Sequence, residues 1–347
     1  MTHLLSPLSH ALRLRLLLAA LIAVSTFSSC IDEAEHPDTR QGNFEALWQI
    51  LDEHYCFFAE KQALYGLDWQ EVYAKYRMQV TERMTETQLF EVCGNMLSEL
   101  RDGHVNLSTS YDFARYWSWH ENYPANFSDS LHRRYLGTDY KIASGLKYRI
   151  LDDNIGYVYY ERFSDGIGEG NLDEVILSLM LCRGLILDIR NNTGGNLTNA
   201  EKLAARFINE PTLVGYMRHK TGKGHDDFSP LEEQWLKPSS NLRWQKRVCV
   251  LTNRKVYSAA NEFVKYMSCV DNATIVGDQT GGGAGLPFMS SLPNGWAVRF
   301  SACPMFDRYK QSTEAGIAPD YLVNLLPEDE AKGLDTVIEV ARQLLAR

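Results

Sequence analysis

Ser258 lies where an apolar run ends and a helical pattern begins. The segment Val256-Tyr-Ser-Ala-Ala-Asn-Glu262 follows the predicted strand Val248–Thr252 and opens the predicted helix Ser258–Val270. A serine hydroxyl at a helix N-terminus is favoured as a nucleophile by the helix dipole and by the free backbone amides beside it. Serine is also a common helix N-cap, so the residues alone leave both interpretations open.

A glycine pair follows another predicted buried strand. The segment Asp188-Ile-Arg-Asn-Asn-Thr-Gly-Gly195 comes directly after the apolar run that starts at Gly184. Glycine tolerates positive φ and lets the backbone approach a ligand closely, so the amides of this segment could bind an anion or an oxyanion. A tight strand-to-helix turn would need the same glycines for steric reasons alone.

His104 is the candidate general base. It occurs in Leu100-Arg-Asp-Gly-His-Val105, after the last helix of the N-terminal part. Imidazole titrates near neutral pH and can therefore accept and return a proton during catalysis. The alternative is a loop histidine that is only solvated or hydrogen-bonded.

Three amphipathic helices are expected before His104. Apolar residues repeat with a helical period from Asn43 to Leu100, a second helix is expected after Asp68, and Thr85 with Gln88 forms the capping-box pattern that opens a third. The pattern predicts a small helical bundle.

Strands alternate with helices after Tyr148, which is typical of an α/β sheet with crossover connections. Hairpins are predicted around Asp152-Asp153-Asn154 and at Asn294-Gly295. Further predicted elements are the helices Leu172–Leu181 and Glu328–Leu345, a helix capped by Thr198 and Glu201, and the strands Leu213–Met217 and Ala273–Val276.

The N-terminus has the pattern of a secretory signal. Arg13 and Arg15 precede an apolar run that ends at Phe27 and is too short to span a bilayer. The sequence Phe27-Ser-Ser-Cys30 resembles a bacterial lipoprotein cleavage box in which Phe27 replaces the usual Leu, and this resemblance implies that Cys30 is lipidated. The acidic residues after it resemble the cell-surface signal of Bacteroidetes lipoproteins. An ordinary cleaved signal with an incidental cysteine is the alternative.

Composition and charge narrow the function classes. The chain has 347 residues, 45% of them hydrophobic, which favours a globular protein with a sizeable core. Its net charge of -9 becomes -11 without residues 1–30, so binding to nucleic acid through phosphate contacts is not expected. The six remaining cysteines are scattered, without zinc or C-x-x-C spacing, and are expected to be mostly free, buried thiols.

The sequence divides into five expected parts. They are a lipoprotein signal peptide over 1–30, a linker over 31–42, a helical domain over 43–105, a connecting segment over 106–147 and a core domain over 148–347.

Four motifs, in this order, resemble those of the C-terminal processing peptidases. These tail-specific serine proteases are related to the tricorn protease core and to the retinoid-binding repeats of interphotoreceptor retinoid-binding protein. The motifs are Asp188-Ile-Arg-Asn-Asn-Thr-Gly-Gly195, Ser258-Ala-Ala-Asn-Glu262, Gly277-Asp-Gln-Thr-Gly281 and Gly316-Ile-Ala-Pro-Asp320. The resemblance implies an α/β fold with a crotonase-like spiralling βαβ core. It also implies that Ser258 is the nucleophile and that Gly194, Gly195 and Ala259 form the oxyanion hole.

The sequence departs from the best-known members at the catalytic base. Those members use a Ser–Lys dyad, with the lysine in a Gly-x-x-Thr-x-Gly-Lys-Gly segment, whereas this chain has Gly283 at the lysine position. Lys265 is no clear substitute, because it follows Ser258 by about two turns of the same helix. Tricorn-type members use a histidine and a late carboxylate, so the resemblance implies a Ser258–His104–Glu314 triad. A solvated loop carboxylate is the alternative for Glu314.

Two further segments bear on substrate recognition. Most processing peptidases insert a PDZ domain before the core, but the 43 residues between His104 and Tyr148 are too few for a domain of about 80–90 residues. The insertion from Met217 to Trp244 could line a cleft or form a solvated loop, and its His219 and His225 lack a supporting zinc-ligand pattern.

The expected function is an exported serine endopeptidase that acts on a peptide or protein substrate. We expect no metal, nucleotide or other cofactor, and a lipid anchor that holds the protein in the outer membrane, facing the periplasm or the cell surface. The alternative is a non-catalytic protein that binds a peptide or an apolar ligand on the same scaffold, since a fold does not fix a function.

Overall fold

The computed structural model describes residues 36–346. The expected signal peptide and the lipidation residue Cys30 lie outside the described residues. Among residues 36–346, no helix is both long enough and apolar enough to cross a bilayer.

Within residues 36–346, four helices precede the first strand: α1 (Arg40–His54), α2 (Phe58–Tyr65), α3 (Trp69–Arg77) and α4 (Glu86–Ser98). Helix α1 begins inside the predicted linker, because Thr39 caps it by accepting a hydrogen bond from the Gly42 amide. The capping box of Thr85 and Gln88 at α4 is confirmed. Helix α2 was not expected from the sequence; its first turn has no side-chain cap, and it ends at the left-handed Gly66.

A seven-stranded sheet, the main sheet, has the order β13-β10-β9-β6-β5-β4-β3. Its strands are β3 (Lys141–Ala143), β4 (Leu146–Ile150), β5 (Ile155–Tyr160), β6 (Gly184–Asp188), β9 (Val248–Thr252), β10 (Ala273–Gly277) and β13 (Tyr321–Leu322). The strands from β5 to β13 are parallel to their neighbours, and β4 and β3 add antiparallel strands at one edge. Strands β6 and β9 are buried along their whole length, which agrees with their continuous apolar sequences.

Helices cover both faces of the main sheet. The helices of the core region are α7 (Glu169–Leu179), α8 (Leu197–Ala204), α9 (Ala259–Met267), α10 (Pro327–Glu330) and α11 (Thr336–Ala346). Alternate residues of β6 face opposite sides: Leu187 packs in the cluster that contains α7 and α9, whereas Ile186 packs in the cluster that contains α11. The predicted α/β organisation is therefore present.

The second sheet has the order β2-β1-β12-β7-β8, and β11 also pairs with β12. Its strands are β1 (Asn106–Ser108), β2 (Phe113–Arg115), β7 (Thr212–Met217), β8 (Glu232–Leu236), β11 (Gly285–Ser291) and β12 (Ala297–Phe306). Phe44 and Leu47 of α1 share a hydrophobic cluster with Val298 and Phe300 of β12. The N-terminal helices thus pack on a strand from the C-terminal half of the chain.

The expected boundaries at 105/106 and 147/148 do not separate compact units. Residues from Asp38 onward form one unit. The expected connecting segment contributes β1 and β2 to the second sheet and β3 to the main sheet, and it also holds the helices α5 (Ser118–Glu121) and α6 (Asp129–Leu136).

Several predicted elements differ in detail from the structure. The cap of α8 is Asn196, which accepts a hydrogen bond from the Thr198 amide, and not Thr198 itself. The predicted helical tail is two helices, α10 and α11. The six cysteines among residues 36–346 are free thiols, five of them buried, as expected.

Candidate active site

Ser258 connects β9 to α9 in an unusual backbone conformation. Its φ of 59° and ψ of -125° lie in a region that side-chain-bearing residues rarely adopt. Its amide donates a hydrogen bond to the Gly282 carbonyl, and its side chain caps no helix amide. Ser258 thus occupies the N-cap position of α9 without capping it through its side chain, and the sharp turn leaves the hydroxyl available for another partner.

That partner is His104. The distance between His104 Nε2 and Ser258 Oγ is 2.9 Å, although the two residues are 154 positions apart in the chain. His104 is 2% exposed, and its ring packs edge-on against Tyr257, the residue before the serine. The structure thus brings together two of the residues that the motifs singled out.

Burial governs the protonation of His104. It lowers the pKa of the imidazole to about 4, the charges of Arg299 and Arg115 act in the same direction, and Asp102 and the Gly285 backbone oppose the shift. The ring is therefore neutral at pH 7. A neutral imidazole can accept the Ser258 proton through Nε2.

Asp102 is a buried carboxylate that the sequence analysis did not assign to the site. One oxygen accepts hydrogen bonds from the His104 amide (2.7 Å) and the Tyr257 hydroxyl (3.3 Å), and the other accepts from Ser301 (2.8 Å) and Tyr55 (3.2 Å). These four donors hold the carboxylate at the His104 backbone, and the charge of the carboxylate favours the imidazolium form. The sequence Asp102-Gly-His104 could have indicated Asp102 as a site residue, because a side chain two positions before the base lies in the same loop.

Glu314 does not contact His104, which corrects the expected triad. Its Oε1 accepts a hydrogen bond from Lys61 Nζ (3.1 Å), and its Oε2 accepts from the Ala284 amide (2.9 Å). Burial raises the pKa of the Glu314 carboxyl, whereas the Lys61 ammonium lowers it and favours the carboxylate form of the pair. Lys61 belongs to α2, the helix that the sequence analysis missed, so this pairing was not expected.

The backbone amides of the glycine segment are not equivalent. The Gly194 amide donates to Asn192 Oδ1 at 2.9 Å and is therefore occupied. Among residues 36–346, no backbone or side-chain acceptor pairs with the amides of Gly195 and Ala259. Both residues line a cavity of about 300 Å³ together with Ser258 and His104. Of the three expected oxyanion donors, these two are available and Gly194 is not.

The lysine position of the Ser–Lys members is closed in this fold. Gly283 has a φ of +79°, and a Cβ atom there would lie 2.5 Å from the Tyr257 ring. Lys265 forms an ion pair with Glu262 at 2.6 Å and donates to Gln234, on a buried part of α9. Neither position supplies a lysine to Ser258.

Two cavities meet at Ser258. The larger, about 560 Å³, is lined by residues of β2, β5 and the glycine segment, and the smaller by β11, β12 and the start of α8. His104, Gly195, Ser258 and Arg299 border both. An extended chain could therefore pass on both sides of the serine hydroxyl.

The insertion from Met217 to Trp244 lies apart from these two cavities. His225 Nε2 lies 2.9 Å from Asp52 Oδ1, and His219 Nδ1 lies 3.7 Å from Glu232. Trp235 lines a separate cavity of about 640 Å³. The two histidines pair with different carboxylates and do not converge on one point.

Family models match both parts of the chain. The model of peptidase family S41 matches residues 154–323, and that of the tricorn protease C1 domain matches residues 36–98. A CtpA-like serine protease of Staphylococcus haemolyticus is 32% identical over 132 residues, which are 38% of this chain and 25% of that protein. The chain thus aligns with about a quarter of the length of this curated relative.

Solved structures share the fold over most of the chain. The crystal structure of a candidate peptidase from Parabacteroides merdae is 51% identical, with a TM-score of 0.85, and the match covers 90% of this chain and 98% of that chain. The photosystem II D1 C-terminal processing protease is 15% identical, with a TM-score of 0.51, over 88% of this chain and 97% of that chain. The α/β fold with a helical N-terminal part is confirmed. This chain belongs to peptidase family S41, the serine-type peptidase family to which its ordered motifs pointed.

Proposed function

We propose that the protein is a serine endopeptidase that cleaves peptide bonds by acyl transfer. The observation that carries the proposal is the 2.9 Å contact between Ser258 Oγ and His104 Nε2 at the junction of two cavities. A nucleophile in hydrogen-bond contact with a neutral base is the arrangement that activates a hydroxyl near neutral pH.

The proposed reaction has two steps. His104 Nε2 accepts the Ser258 proton while Oγ attacks the scissile carbonyl, and the amides of Gly195 and Ala259 stabilise the oxyanion that forms. His104 then protonates the leaving amine, which gives a free amine product and an acyl-enzyme. Water, deprotonated by His104, hydrolyses this ester and regenerates Ser258.

Asp102 has an electrostatic role in this mechanism. It contacts the His104 amide and not its ring, and its charge raises the pKa of the imidazole. The imidazolium that forms during the reaction is therefore stabilised by a carboxylate that its four hydrogen-bond donors keep in place. Lys61 and Glu314 lie beside this group as a buried pair.

Labelling with a fluorophosphonate probe tests the nucleophile. We expect labelling of the unmodified protein, none in Ser258→Ala, and a decrease of at least about 100-fold in labelling rate in His104→Ala, within the range for loss of a general base. Ser268→Ala, an exposed serine just beyond the end of α9, and His219→Ala, an exposed loop histidine, are matched controls that should label normally. Equal labelling of Ser258→Ala would contradict the proposal. A folded protein that binds peptide without labelling would instead support the non-catalytic alternative.

We also propose that the protein is exported and anchored in the cell envelope by a lipid on Cys30. The proposal rests on the sequence pattern from Arg13 to Glu35, which lies outside the described residues. Metabolic labelling with a clickable fatty acid should mark the protein and place it in the outer-membrane fraction. Cys30→Ser should lose both properties, whereas Cys269→Ser, at a half-buried thiol of the core, should keep them. Lipid labelling of Cys30→Ser would contradict the assignment.

A further inference from the structure

Two arginines lie in one row of the second sheet beside the candidate active site. Asn106 of β1 pairs with Arg115 of β2 on one side and with Arg299 of β12 on the other. Residues directly opposite each other on neighbouring strands share a face of the sheet. Arg115 and Arg299 therefore project on the same side, separated by one strand.

Neither arginine forms an ion pair with a carboxylate of the described residues. Across residues 36–346, no carboxylate lies within ion-pair distance of either guanidinium, and the buried Nε of Arg115 has no hydrogen-bond partner. The Arg115 guanidinium lies 4.6 Å from the centre of the Trp117 ring, which helps to fix its position. Both groups are half-buried, and burial lowers the pKa of each guanidinium. The charge of Arg299 adds to the shift at Arg115, whereas Tyr257 and Asp102 oppose the shift at both.

Two other arginines, one in the same cavity and one in the core, have carboxylate partners. Arg162 lines the same 560 Å³ cavity and forms an ion pair with Glu161 at 3.1 Å. The fully buried Arg190 is held by Asp188 and Asp335. Two half-buried, unpaired guanidinium groups on one face of a sheet are costly to maintain without an anion. Their hydrogen-bonding edges remain available to one that enters the cavity.

Both arginines border the space next to the nucleophile. Arg115 lines the larger cavity, and Arg299 lines both cavities together with Ser258 and His104. An anion bound between them would lie close to the reacting bond of a bound peptide. A carboxylate suits two guanidinium groups because each can donate parallel N–H hydrogen bonds to its oxygens.

We propose that Arg115 and Arg299 form a carboxylate-binding subsite that selects peptide substrates with a carboxylate near the scissile bond. The inference rests on the proposed peptidase function for the identity of the ligand as a peptide. The carboxylate can come from an aspartate or glutamate side chain or from a free C-terminus. The two sources present the same chemistry to the arginines, so the experiment separates them.

Peptide binding to the Ser258→Ala variant tests the subsite without requiring turnover. Fluorescent peptides would differ only in the group presented: Glu against Gln, Asp against Asn, and a free C-terminus against its amide. We expect at least one acidic peptide to bind about tenfold or more tightly than its neutral match, which corresponds to one charge-assisted hydrogen-bonded contact. The pair that shows the difference identifies the source of the carboxylate.

Variants then locate the preference. Arg115→Gln and Arg299→Gln, each combined with Ser258→Ala, should reduce the preference to about onefold to threefold, and Arg299→Lys should retain part of it as a point charge. Arg162→Gln is the matched comparison, because it removes a paired arginine from the same cavity, and the preference should survive it. Circular dichroism would verify that each variant is folded.

Three results would overturn the subsite: equal binding of acidic and neutral peptides, a preference that survives the Arg115→Gln/Arg299→Gln double variant, or a preference lost only in Arg162→Gln. Failure of the proposed function looks different, because fluorophosphonate labelling of the unmodified protein would then be absent even if the acidic peptide bound tightly.

Discussion

Lys61 Nζ and Glu314 Oε1 form an ion pair at 3.1 Å that joins helix α2 to the loop after β12. The two side chains are only 4% and 3% exposed and lie 253 positions apart in the chain. The pair therefore ties the N-terminal helices to the segment that precedes the Gly316-Ile-Ala-Pro-Asp320 motif, and it occupies the carboxylate that the family resemblance had assigned to the histidine.

The first prediction concerns the role of this pair. Lys61→Met should lower the free energy of unfolding by about 3–5 kcal/mol, since it leaves a buried carboxylate without its cation. Glu314→Gln should also be destabilising, because it leaves the buried Lys61 ammonium without its carboxylate, although the amide oxygen can still accept one of the two hydrogen bonds. The double variant should be less destabilised than the sum of the single variants, as expected for a directly coupled pair. Urea unfolding provides the measurement.

The second prediction separates Glu314 from the catalytic groups. Glu314→Gln should keep at least about one tenth of the kcat/KM of the unmodified protein, because the carboxylate does not contact the His104 ring. His104→Ala should lose about 100-fold or more. A folded Glu314→Gln variant as inactive as His104→Ala would restore the expected triad.

The third prediction is the pH dependence of cleavage. The base must be neutral, and the pKa of His104 is lowered to about 4, so kcat/KM for an uncharged peptide should stay level from pH 8 to about 5 and fall as the pH drops through about 4. Arg299→Gln removes a charge that repels the imidazolium and should move this fall in kcat/KM to higher pH. Asp102→Asn removes a charge that stabilises the imidazolium and should move the fall to lower pH. An acid limb near the ordinary histidine pKa in the unmodified protein would show that the imidazole is not desolvated.

The same shift has a consequence for stability. The folded state disfavours the charged imidazole of His104. The contribution of the neutral imidazole to the free energy of unfolding is therefore complete above the unfolded pKa near 6.5, and it is lost as the pH falls from there towards 4. His104→Ala should remove this part of the acid sensitivity of the unfolding free energy.

The fourth prediction concerns backbone strain at Ser258. Its φ of 59° is costly for a residue with a Cβ atom and ordinary for glycine. Ser258→Gly should therefore be more stable than Ser258→Ala by about 1 kcal/mol or more, although both variants lack the nucleophile. Comparison of the two inactive variants by thermal unfolding isolates the backbone effect. Equal stabilities would mean that the turn relaxes without the hydroxyl.

The fifth prediction tests the oxyanion donors. A Cβ at Gly195 would lie 2.1 Å from the Ser164 backbone nitrogen, so Gly195→Ala should displace this amide and lower kcat by about 100-fold or more. Gly166→Ala is the matched control, because nothing lies within 4 Å of the added carbon and its φ is ordinary. A Gly195→Ala variant with normal kcat would exclude this amide from the oxyanion hole.

The sequence determined the elements whose signals are local. The continuous apolar runs of β6 and β9, the capping box at α4 and the Asn294-Gly295 hairpin all depend on neighbouring residues, and all are present in the structure. The ordered motifs were also sufficient to indicate the family. Helix α2 was missed because its first turn has no side-chain cap that a pattern could reveal.

Which side chains share the site depends on how distant segments fold together. The contact between His104 and Ser258 crosses 154 residues, and nothing in the spacing distinguishes the partner of His104 from the many carboxylates of the chain. The structure pairs Glu314 with Lys61, surrounds Asp102 with four donors, and aligns Arg115 with Arg299 through the register of β1. The physical reason is that a motif fixes the residue type and the local backbone, whereas burial, charge pairing and strand register depend on segments that meet only when the chain folds.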